Sequence, residues 1–437
     1  MRISVIGCGY LGAVHAASMA ELGHDVVGID VDHSKVAALS QAQAPFFEPG
    51  LSDILGSAIG SGRLRFSTDI ADARGSQVHF IAVGTPQKRG ENAADLTYVD
   101  AAVDALIPVL GDGELVVGKS TVPVGTAARL ASTIESAEVG AILAWNPEFL
   151  REGYAVKDTI APDRLVYGVP PGEAGARAEQ LLNEVYKTAV GNETPVVVTD
   201  YATAELVKVS ANAFLATKIS FINAMAEIAE VAGADVTALA DAIGYDARIG
   251  RRFLNAGVGF GGGCLPKDIR AFAARAEELG RGESVRFLLE VDAINMRRRD
   301  RMVDMVVDAL GGQVFQKKVA VLGLAFKPDS DDVRDSPSLD VAVRLNGLGA
   351  RVIATDPQAI PNSIRLHPQL GFATDTRDAL FGADVVVLVT EWKEYRELDP
   401  TEVGELVRDR IVIDGRNVLD PVSWRQAGWT YHGMGRP

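Results

Sequence analysis

Short apolar runs alternate with amphipathic segments along the first 200 residues of the chain. Five of these runs are rich in β-branched residues and end in a turn, which is typical of buried parallel strands. They are ISVIG (3–7), DVVGID (25–30), VHFIAVGTP (78–86), LVVGKSTVPVG (115–125) and ILAWNPEF (142–149). Helical patterns lie between several of them, and this alternation predicts a doubly wound α/β sheet.

The middle of the chain has a different character. Residues 202–232 contain no Gly or Pro and keep apolar residues at helical spacing, which predicts one unusually long helix. Such a helix is expected to connect domains or to form a dimer. Further helical pattern continues to about Leu310.

The α/β pattern resumes at 317–332. VAVLG, ARVIATDP and GADVVVLVTEW repeat the pattern of the first, second and third of these N-terminal runs. We therefore predict two Rossmann-like, doubly wound parallel-sheet domains joined by a helical middle with a long central helix. The expected boundaries are 1–199, 200–310 and 311–437.

The length, net charge and cysteine content of the chain exclude several classes of protein. A chain of 437 residues needs more than one hydrophobic core. Its net charge of -15 argues against non-specific binding to nucleic acid or a membrane surface, because both are anionic. No apolar run of about 18 residues is long enough to cross a bilayer. His15 and Glu21 interrupt the apolar N-terminal segment, which is therefore not read as a signal peptide, and only two cysteines are present. We expect a cytoplasmic protein with no metal site.

The N-terminal stretch VIGCGYLG places Gly7, Gly9 and Gly12 in G-x-G-x-x-G spacing between a predicted strand and a helix, around Tyr10 and Leu11. Asp30 ends the next strand. Together these features predict a dinucleotide site in which the glycines admit the pyrophosphate and the acidic residue binds ribose hydroxyls. The carboxylate would repel a 2'-phosphate, which favours NAD over NADP. The alternative is a glycine turn that serves helix packing alone.

Two later strands end in loops that contain Thr85 (VGTP) and Thr121 (KSTVPVG). Because ligands of open α/β sheets bind beyond the carboxyl ends of the strands, these loops are expected to line the cofactor crevice. Ordinary strand-to-helix turns would have the same composition.

The segment GVGFGGGCLPKD (257–268) places Cys264 just before a predicted helix with Pro266 at its first position and Lys267 nearby. Such an electropositive position lowers the pKa of a thiol and favours nucleophilic attack. The glycines would let a substrate approach the backbone. The alternatives are an inert cysteine and an Asp268 that only complements the helix dipole.

An NAD site combined with an activated thiol predicts the oxidation of an alcohol to an acid through an aldehyde, a thiohemiacetal and a thioester. Lys208 and Asn212, four residues apart on one helix face, could polarise the reacting oxygen. Glu148 and Glu152 follow a strand end. A solvated lysine and two first-turn glutamates are the alternatives. A two-electron dehydrogenase and an NAD-binding redox sensor also remain open.

Eight motifs, in this order, resemble the UDP-glucose/GDP-mannose dehydrogenase family: GCGYLG, GTP, KSTVPVG, NPEFLREG, AELVKVSANAFLATKISFINAMAEI, GFGGGCLPKD, AFKPDSDDVRDSP and IDGRN. Within the family, the chain most resembles members that oxidise UDP-glucose to UDP-glucuronate with two NAD. GDP-mannose and UDP-N-acetylhexosamines are the alternative substrates. Gly263 stands where many relatives have Ser or Tyr.

The resemblance implies a role for each matching residue. Cys264 would be the nucleophile, and Lys208 and Asn212 would stabilise the oxyanion. Asp268, with Thr121 and a water, would handle protons in the first oxidation. Glu148 would be the base for thioester hydrolysis, with Glu152 close to substrate and nicotinamide.

The resemblance also implies binding residues and a homodimer built on the long helix, with the ligands bound between the α/β domains. NAD contacts would be made by Gly7, Gly9, Tyr10, Leu11, Gly12, Asp30, Lys35, Thr85, Thr121, Glu152, Cys264, Lys267 and Arg334. UDP-sugar contacts would be made by Glu148, Phe149, Leu150, Glu152, Lys208, Asn212, Asn255, Phe260, Gly261, Phe326, Lys327, Arg416 and, from a partner subunit, Arg248. Lys327, Arg334 and Arg416 would supply the positive charge that an anionic ligand needs.

Overall fold

An eight-stranded sheet lies at the centre of the first of two structural units, which comprises Met1–Ala211 and Ala274–Gly282. The computed structural model describes all residues, 1–437. The strands of this unit are β1 (Arg2–Ile6), β2 (Asp25–Ile29), β3 (Leu64–Ser67), β4 (Val78–Ile81), β5 (Leu115–Gly118), β6 (Ile142–Trp145), β7 (Leu165–Gly168) and β8 (Val196–Thr199). Their order is β3-β2-β1-β4-β5-β6-β7-β8, and only the β6–β7 pair is antiparallel.

Helices flank this sheet. They are α1 (Tyr10–Glu21), α2 (His33–Ser40), α3 (Leu51–Gly60), α4 (Thr97–Leu106), α5 (Thr126–Ser136), α6 (Ala155–Ile160), α7 (Glu173–Val185) and α8 (Lys187–Gly191). Ile3 and Val5 of β1 belong to one buried hydrophobic cluster and Ile6 to another. Apolar cores on both faces explain why the central strands are continuously hydrophobic.

The second unit comprises Asn212–Ala273 and Glu283–Pro437. Long helices open it: α9 (Tyr201–Ala232), α10 (Val236–Gly244), α11 (Leu265–Glu278) and α12 (Phe287–Ala309). The first turns of α9 and the end of α11 are assigned to the first unit.

A six-stranded, fully parallel sheet follows in the order β11-β10-β9-β12-β13-β14. Its strands are β9 (Lys318–Leu322), β10 (Arg351–Thr355), β11 (Gly371–Phe372), β12 (Val385–Leu388), β13 (Ile411–Asp414) and β14 (Thr430–Gly433). Its helices are α13 (Pro337–Gly347), α14 (Ile360–Leu366), α15 (Thr376–Leu380), α16 (Lys393–Arg396), α17 (Pro400–Leu406) and α18 (Pro421–Gln426).

The predicted fold class is confirmed: two parallel-sheet α/β domains are joined by a helical middle with one long helix. The runs 78–86, 115–125 and 142–149, each expected to be a strand ending in a turn, form strands that end at Ile81, Gly118 and Trp145 and continue as loops. Sequence patterns did not identify β3, β7 and β8 of the first sheet or β11, β13 and β14 of the second. No helix has the length and apolarity that crossing a membrane requires.

Candidate active site

The glycine loop after β1 is shaped to receive a dinucleotide. Gly7 has φ +89°, a left-handed conformation that favours glycine. A Cβ atom on Gly12 would lie 1.7 Å from the carbonyl oxygen of Gly7, so helix and strand can pack this closely only without a side chain there. Gly9 precedes α1 without a side-chain cap, and a Cβ atom on it would meet nothing within 4 Å. The first turn of α1 therefore leaves backbone N–H groups and space for a pyrophosphate.

Asp30 is buried directly after β2 and is held in place by this loop. One carboxylate oxygen accepts hydrogen bonds from the Cys8 amide and the Lys35 ammonium, both at 2.8 Å, and the other accepts from the Asp32 amide at 3.0 Å. A fixed carboxylate at the end of the second strand is the arrangement that binds ribose hydroxyls. These residues fit NAD.

The loops after β4 and β5 lie side by side. The Thr85 hydroxyl donates to the Thr121 carbonyl oxygen at 2.8 Å, and the Ser120 hydroxyl donates to the Val83 carbonyl oxygen at 2.7 Å. A Cβ atom on Gly7 would lie 2.6 Å from Val83 Cγ1, so the glycine loop adjoins them. The structure thus brings Gly7, Thr85 and Thr121 to one edge of the sheet.

Glu48, which sequence analysis did not identify, fixes the loop that carries Glu152. Its buried carboxylate accepts hydrogen bonds from the Gly153 and Ala155 amides, each at 2.7 Å, and from the Tyr10 hydroxyl. Burial and this bond to Glu48 raise the pKa of Tyr10 well above its usual range, so the phenol remains a hydrogen-bond donor. Leu11, the next residue, is partly buried against the hydrophobic core.

Glu148 is anchored at both carboxylate oxygens. One oxygen accepts from the amides of Phe149 and Leu150, at 2.8 and 3.0 Å, and the other forms an ion pair with Lys119 at 2.9 Å. Sequence analysis noted Lys119 only as part of a loop.

Lys208 is partly buried near Glu148's neighbour Phe149. Its ammonium lies 5.5 Å from the centre of the Phe149 ring, and the Arg164 guanidinium lies 4.0 Å from the same ring. Two cationic side chains, Lys208 and Arg164, thus lie near the Phe149 ring. Lys208 is not the fully solvated helix charge of the alternative interpretation.

In the second unit, Cys264 is exposed and directly precedes α11. The helix begins at Leu265, so Pro266 is its second residue and not its first as predicted. The amide of Asp268 donates to the Cys264 carbonyl oxygen at 2.9 Å, which closes the first helical turn. Neither cysteine forms a disulfide.

Asp268, in the first turn of α11, is buried and has two polar side chains as partners. The Asn212 side-chain amide donates to one of its carboxylate oxygens at 2.6 Å, and the Lys267 ammonium pairs with the other. The structure therefore places Asn212, Asp268 and Lys267 together, although 56 residues separate Asn212 from Asp268.

The glycines before Cys264 pack against the protein itself. A Cβ atom on Gly259 would lie 2.4 Å from Asn295 Oδ1, and one on Gly261 would lie 2.2 Å from the Asp335 carbonyl oxygen. A Cβ atom on Gly263 would lie 2.4 Å from Arg334 Cζ, so glycine there makes room for that guanidinium. These contacts account for the missing side chains at Gly259, Gly261 and Gly263, and the approach of a substrate to this loop stays a prediction.

Asn295 of α12 holds this loop through Phe260. Its buried side chain accepts from the Phe260 amide at 2.7 Å and donates to the Phe260 carbonyl oxygen at 2.9 Å. Sequence analysis did not identify Asn295, because an asparagine within a helix carries no local sign of a distant partner.

Phe326, Lys327 and Arg416 surround the same loop. The Phe326 ring would lie 2.8 Å from a Cβ atom on Gly262, and the Lys327 ammonium lies 5.5 Å from the centre of that ring. Arg416 donates to the carbonyl oxygens of Gly259 and Phe326 at 2.9 and 3.2 Å. Much of its guanidinium is therefore already used to join β13 to the loop.

Arg248 and Asn255 are the predicted substrate residues that face solvent in this chain. The Arg248 side chain is 88% exposed and pairs with Asp246. Asn255 is exposed and accepts a hydrogen bond from Arg251 at 2.7 Å.

Comparison with known proteins accounts for the whole chain. Residues 1–190, 202–297 and 320–421 match the NAD binding, central and UDP binding domains of the UDP-glucose/GDP-mannose dehydrogenase family. The UDP-glucose 6-dehydrogenase of Rhizobium meliloti (strain 1021) is 42% identical, covering 100% of each chain. TuaD, a UDP-glucose 6-dehydrogenase of Bacillus subtilis (strain 168), is 42% identical over 100% of this chain and 93% of its own.

A solved structure gives the same result. The UDP-glucose dehydrogenase of the hyperthermophilic archaeon Pyrobaculum islandicum is 39% identical and covers 100% of this chain and 98% of its own, with a TM-score of 0.90. The chain belongs to the UDP-glucose/GDP-mannose dehydrogenase family.

Proposed function

We propose that this chain oxidises UDP-glucose to UDP-glucuronate with two NAD, through a covalent intermediate on Cys264. The observation that carries the proposal is an exposed cysteine that directly precedes helix α11, one turn before the buried Asp268, whose carboxylate binds Asn212 and Lys267. Relatives named for UDP-glucose 6-dehydrogenase activity, 42% identical over the full chain, support the choice of substrate.

NAD would be held by the glycine loop, Asp30 and Lys35, and by Thr85, Thr121 and Glu152, and the family resemblance adds Lys267 and Arg334. Two NAD molecules, bound one after the other, would each supply the acceptor for one hydride. The chain's own residues orient the sugar and move its protons.

In the first oxidation, Asp268 would accept the proton of the sugar hydroxyl, with Thr121 and a water. Lys208 and Asn212 would stabilise the negative charge on the oxygen, which is worth most when the donors are fixed beforehand. The Cys264 thiolate then attacks the aldehyde carbon and forms a thiohemiacetal, whose oxidation leaves a thioester.

Hydrolysis completes the reaction. Glu148 would accept a proton from water as the water oxygen bonds to the thioester carbon, and the carbon–sulfur bond breaks to return the Cys264 thiolate. The product is the carboxylate.

Domain roles follow from the same resemblance. We assign 1–199 to NAD binding, 200–310 to a central helical domain and 311–437 to UDP-sugar binding. Phe149, Leu150, Asn255, Phe260, Gly261, Phe326, Lys327 and Arg416 would contact the UDP-sugar. The match of 320–421 to a UDP binding domain supports the last assignment.

We further propose a cytoplasmic homodimer built on α9. Phe214, Phe221 and Ile228, spaced seven residues apart on this helix, are 67%, 48% and 58% exposed in the single chain. Apolar residues at this spacing form a stripe that a second helix can cover. Arg248, exposed in this chain, would enter the partner's site. The scarcity of cysteine supports a reducing compartment.

The test is the amount of NADH formed per mole of sugar nucleotide at completion, with UDP-glucose, GDP-mannose and UDP-N-acetylglucosamine compared. Two NADH from UDP-glucose and little from the others is the expected result. Two from another donor would change the substrate but keep the mechanism. One NADH would contradict the four-electron reaction.

A further inference from the structure

Lys119 is a charged residue buried at the end of a central strand. It directly follows β5, and its side chain is only 4% exposed. Burying an ammonium group is costly unless it is paired and hydrogen-bonded. Its position therefore depends on partners.

The partners of Lys119 form a network that leads to Glu148. Its ammonium lies 2.9 Å from a Glu148 carboxylate oxygen, and it donates to Asn146 Oδ1 and the Tyr186 hydroxyl oxygen, both at 3.2 Å. The Tyr186 hydroxyl donates in turn to Asn146 Oδ1 at 2.7 Å, and the Asn146 amide is fixed by the Val166 carbonyl oxygen. Asn146 and Tyr186 thus fix the Lys119 ammonium in position beside the Glu148 carboxylate.

The two ends of the Glu148 carboxylate are fixed by different means. The Phe149 and Leu150 amides hold one oxygen, and Lys119 alone among the described side chains pairs with the other. Without Lys119, a carboxylate that is 16% exposed would lose its counter-charge and one of its two anchors.

We propose that Lys119 is a positioning residue for thioester hydrolysis: it holds and charge-balances the Glu148 carboxylate that accepts the proton of the attacking water. This inference rests on the proposed role of Glu148. Under this proposal Lys119 takes no part in either hydride transfer. It serves only the hydrolysis step, in which water adds to the thioester carbon and the Cys264 thiolate leaves.

The step-specific role predicts a step-specific defect in Lys119→Met. Rapid mixing of the variant with saturating NAD and UDP-glucose should give a burst of two NADH per active site, because both hydride transfers precede the hydrolysis that it slows. The following steady-state rate should fall at least tenfold. Mass spectrometry of the quenched enzyme should find the uronyl thioester on the Cys264 peptide. Lys187→Met, an exposed lysine next to Tyr186, is the matched control and should behave as the parent.

A double variant tests whether the two residues act together. If Lys119 works through Glu148, Lys119→Met/Glu148→Gln should hydrolyse the thioester no more slowly than Glu148→Gln alone. Multiplied defects would contradict the proposal. So would an equal loss of burst and steady-state rate without a trapped adduct, since that is the signature of general damage to the fold.

Tyr186→Phe provides the same test if Lys119→Met does not fold. It removes one hydrogen-bond partner of Lys119 and should slow hydrolysis about threefold with the burst intact. An unchanged hydrolysis rate would contradict the network. If the parent enzyme itself gives one NADH and no acid, the proposed function fails, and that outcome is distinct from failure of the Lys119 assignment.

Discussion

Cys264 and Cys8 are the only two cysteines of the chain, and their surroundings are opposite. Cys264 is exposed and directly precedes α11, a position in which reactive cysteines occur. Cys8 is fully buried, and burial together with the charge of Asp30 raises the pKa of its thiol well above the usual range. Only Cys264 is suited to covalent chemistry.

Cys264→Ser should abolish acid formation while NAD and UDP-glucose still bind, because a serine hydroxyl at this position lacks the thiolate's nucleophilicity. Acid production can be followed by chromatography and binding by calorimetry. Cys8→Ala should continue to form the acid. Undiminished acid formation by Cys264→Ser would rule out the covalent intermediate.

The ion pair between Asp30 and Lys35 leads to a prediction about the selectivity for NAD over NADP. Asp30→Ala removes the carboxylate that repels a 2'-phosphate and releases the Lys35 ammonium, which can then attract one. The ratio of kcat/KM for NAD to that for NADP should fall at least tenfold, about 1.4 kcal/mol. Asp32→Ala, two residues away, removes a helix cap and should leave this ratio unchanged. An unaltered ratio in Asp30→Ala would place cofactor discrimination elsewhere.

At the scale of elements, α12 supports the loop that carries the nucleophile. Asn295 satisfies both backbone groups of Phe260, and the Arg298 side chain, itself buried, donates to the Gly257 carbonyl oxygen at 3.3 Å. The loop is therefore held along its length by a helix whose contacts are remote in sequence.

Asn295→Leu should destabilise this support, because it leaves the buried Phe260 N–H group without a partner and its carbonyl oxygen with only the Arg299 guanidinium, at 3.4 Å. The expected loss of unfolding free energy is on the order of 3 kcal/mol. Denaturant unfolding measures it, and the rate at which an alkylating reagent modifies Cys264 should change in parallel. Asn255→Leu, at an exposed asparagine, is the control for stability. Equal stability of the two variants would contradict the anchoring role.

Helix α1 contains a buried histidine from which we predict that the first unit is less stable in acid. His15 is fully buried, its ring packs 4.3 Å from that of Phe80, and neither ring nitrogen has a hydrogen-bond partner. Burial, with the nearby charge of Lys119, lowers the pKa of His15 well below 6.5. The unfolded chain therefore gains a proton below about pH 6.5 that the folded chain does not bind.

Stability should accordingly fall as the pH drops below 6.5, with a contribution from His15 of up to about 1.4 kcal/mol per pH unit. Urea midpoints at pH 7.5 and 5.5 measure this. His15→Phe should reduce the difference between the two midpoints, whereas His33→Phe, at an exposed histidine, should not. An undiminished difference in His15→Phe would assign the acid sensitivity to other groups.

Local patterns predict whole elements better than they predict contacts. The helix expected over 202–232 occupies Tyr201–Ala232, because an uninterrupted amphipathic run without Gly or Pro has no other regular structure open to it. Glu48, by contrast, acts on Gly153 and Ala155, which are 105 and 107 residues away. The partner of Lys119 and the anchor of Phe260 are likewise products of packing, which periodicity does not describe.

At the scale of the whole molecule, the two sheets repeat one strand order but differ at the nucleotide edge. Gly323 follows β9 with φ +105°, and its amide donates a hydrogen bond to the Thr355 carbonyl oxygen. The Gly7 amide donates in the same way to the Ile29 carbonyl oxygen. Asp356 then occupies the position of Asp30. Its carboxylate accepts hydrogen bonds from the Leu324 and Ala325 amides and from the Trp392 indole N–H. Both carboxylates thus accept from their own glycine loop, and they differ in the side-chain donor: the Lys35 ammonium at Asp30 and the Trp392 indole N–H at Asp356.

The proposed dimer is tested by charging the apolar stripe of α9. Phe214→Glu/Phe221→Glu should give a monomer by light scattering, because two buried carboxylates facing a partner helix would cost far more than the stripe gains. Turnover of UDP-glucose should fall at the same time, since Arg248 would no longer reach a partner's site. Phe381→Glu, at a phenylalanine 71% exposed outside the helical middle, should remain dimeric and active. A fully active monomer would remove Arg248 from the site, and an intact dimer would place the interface on another surface.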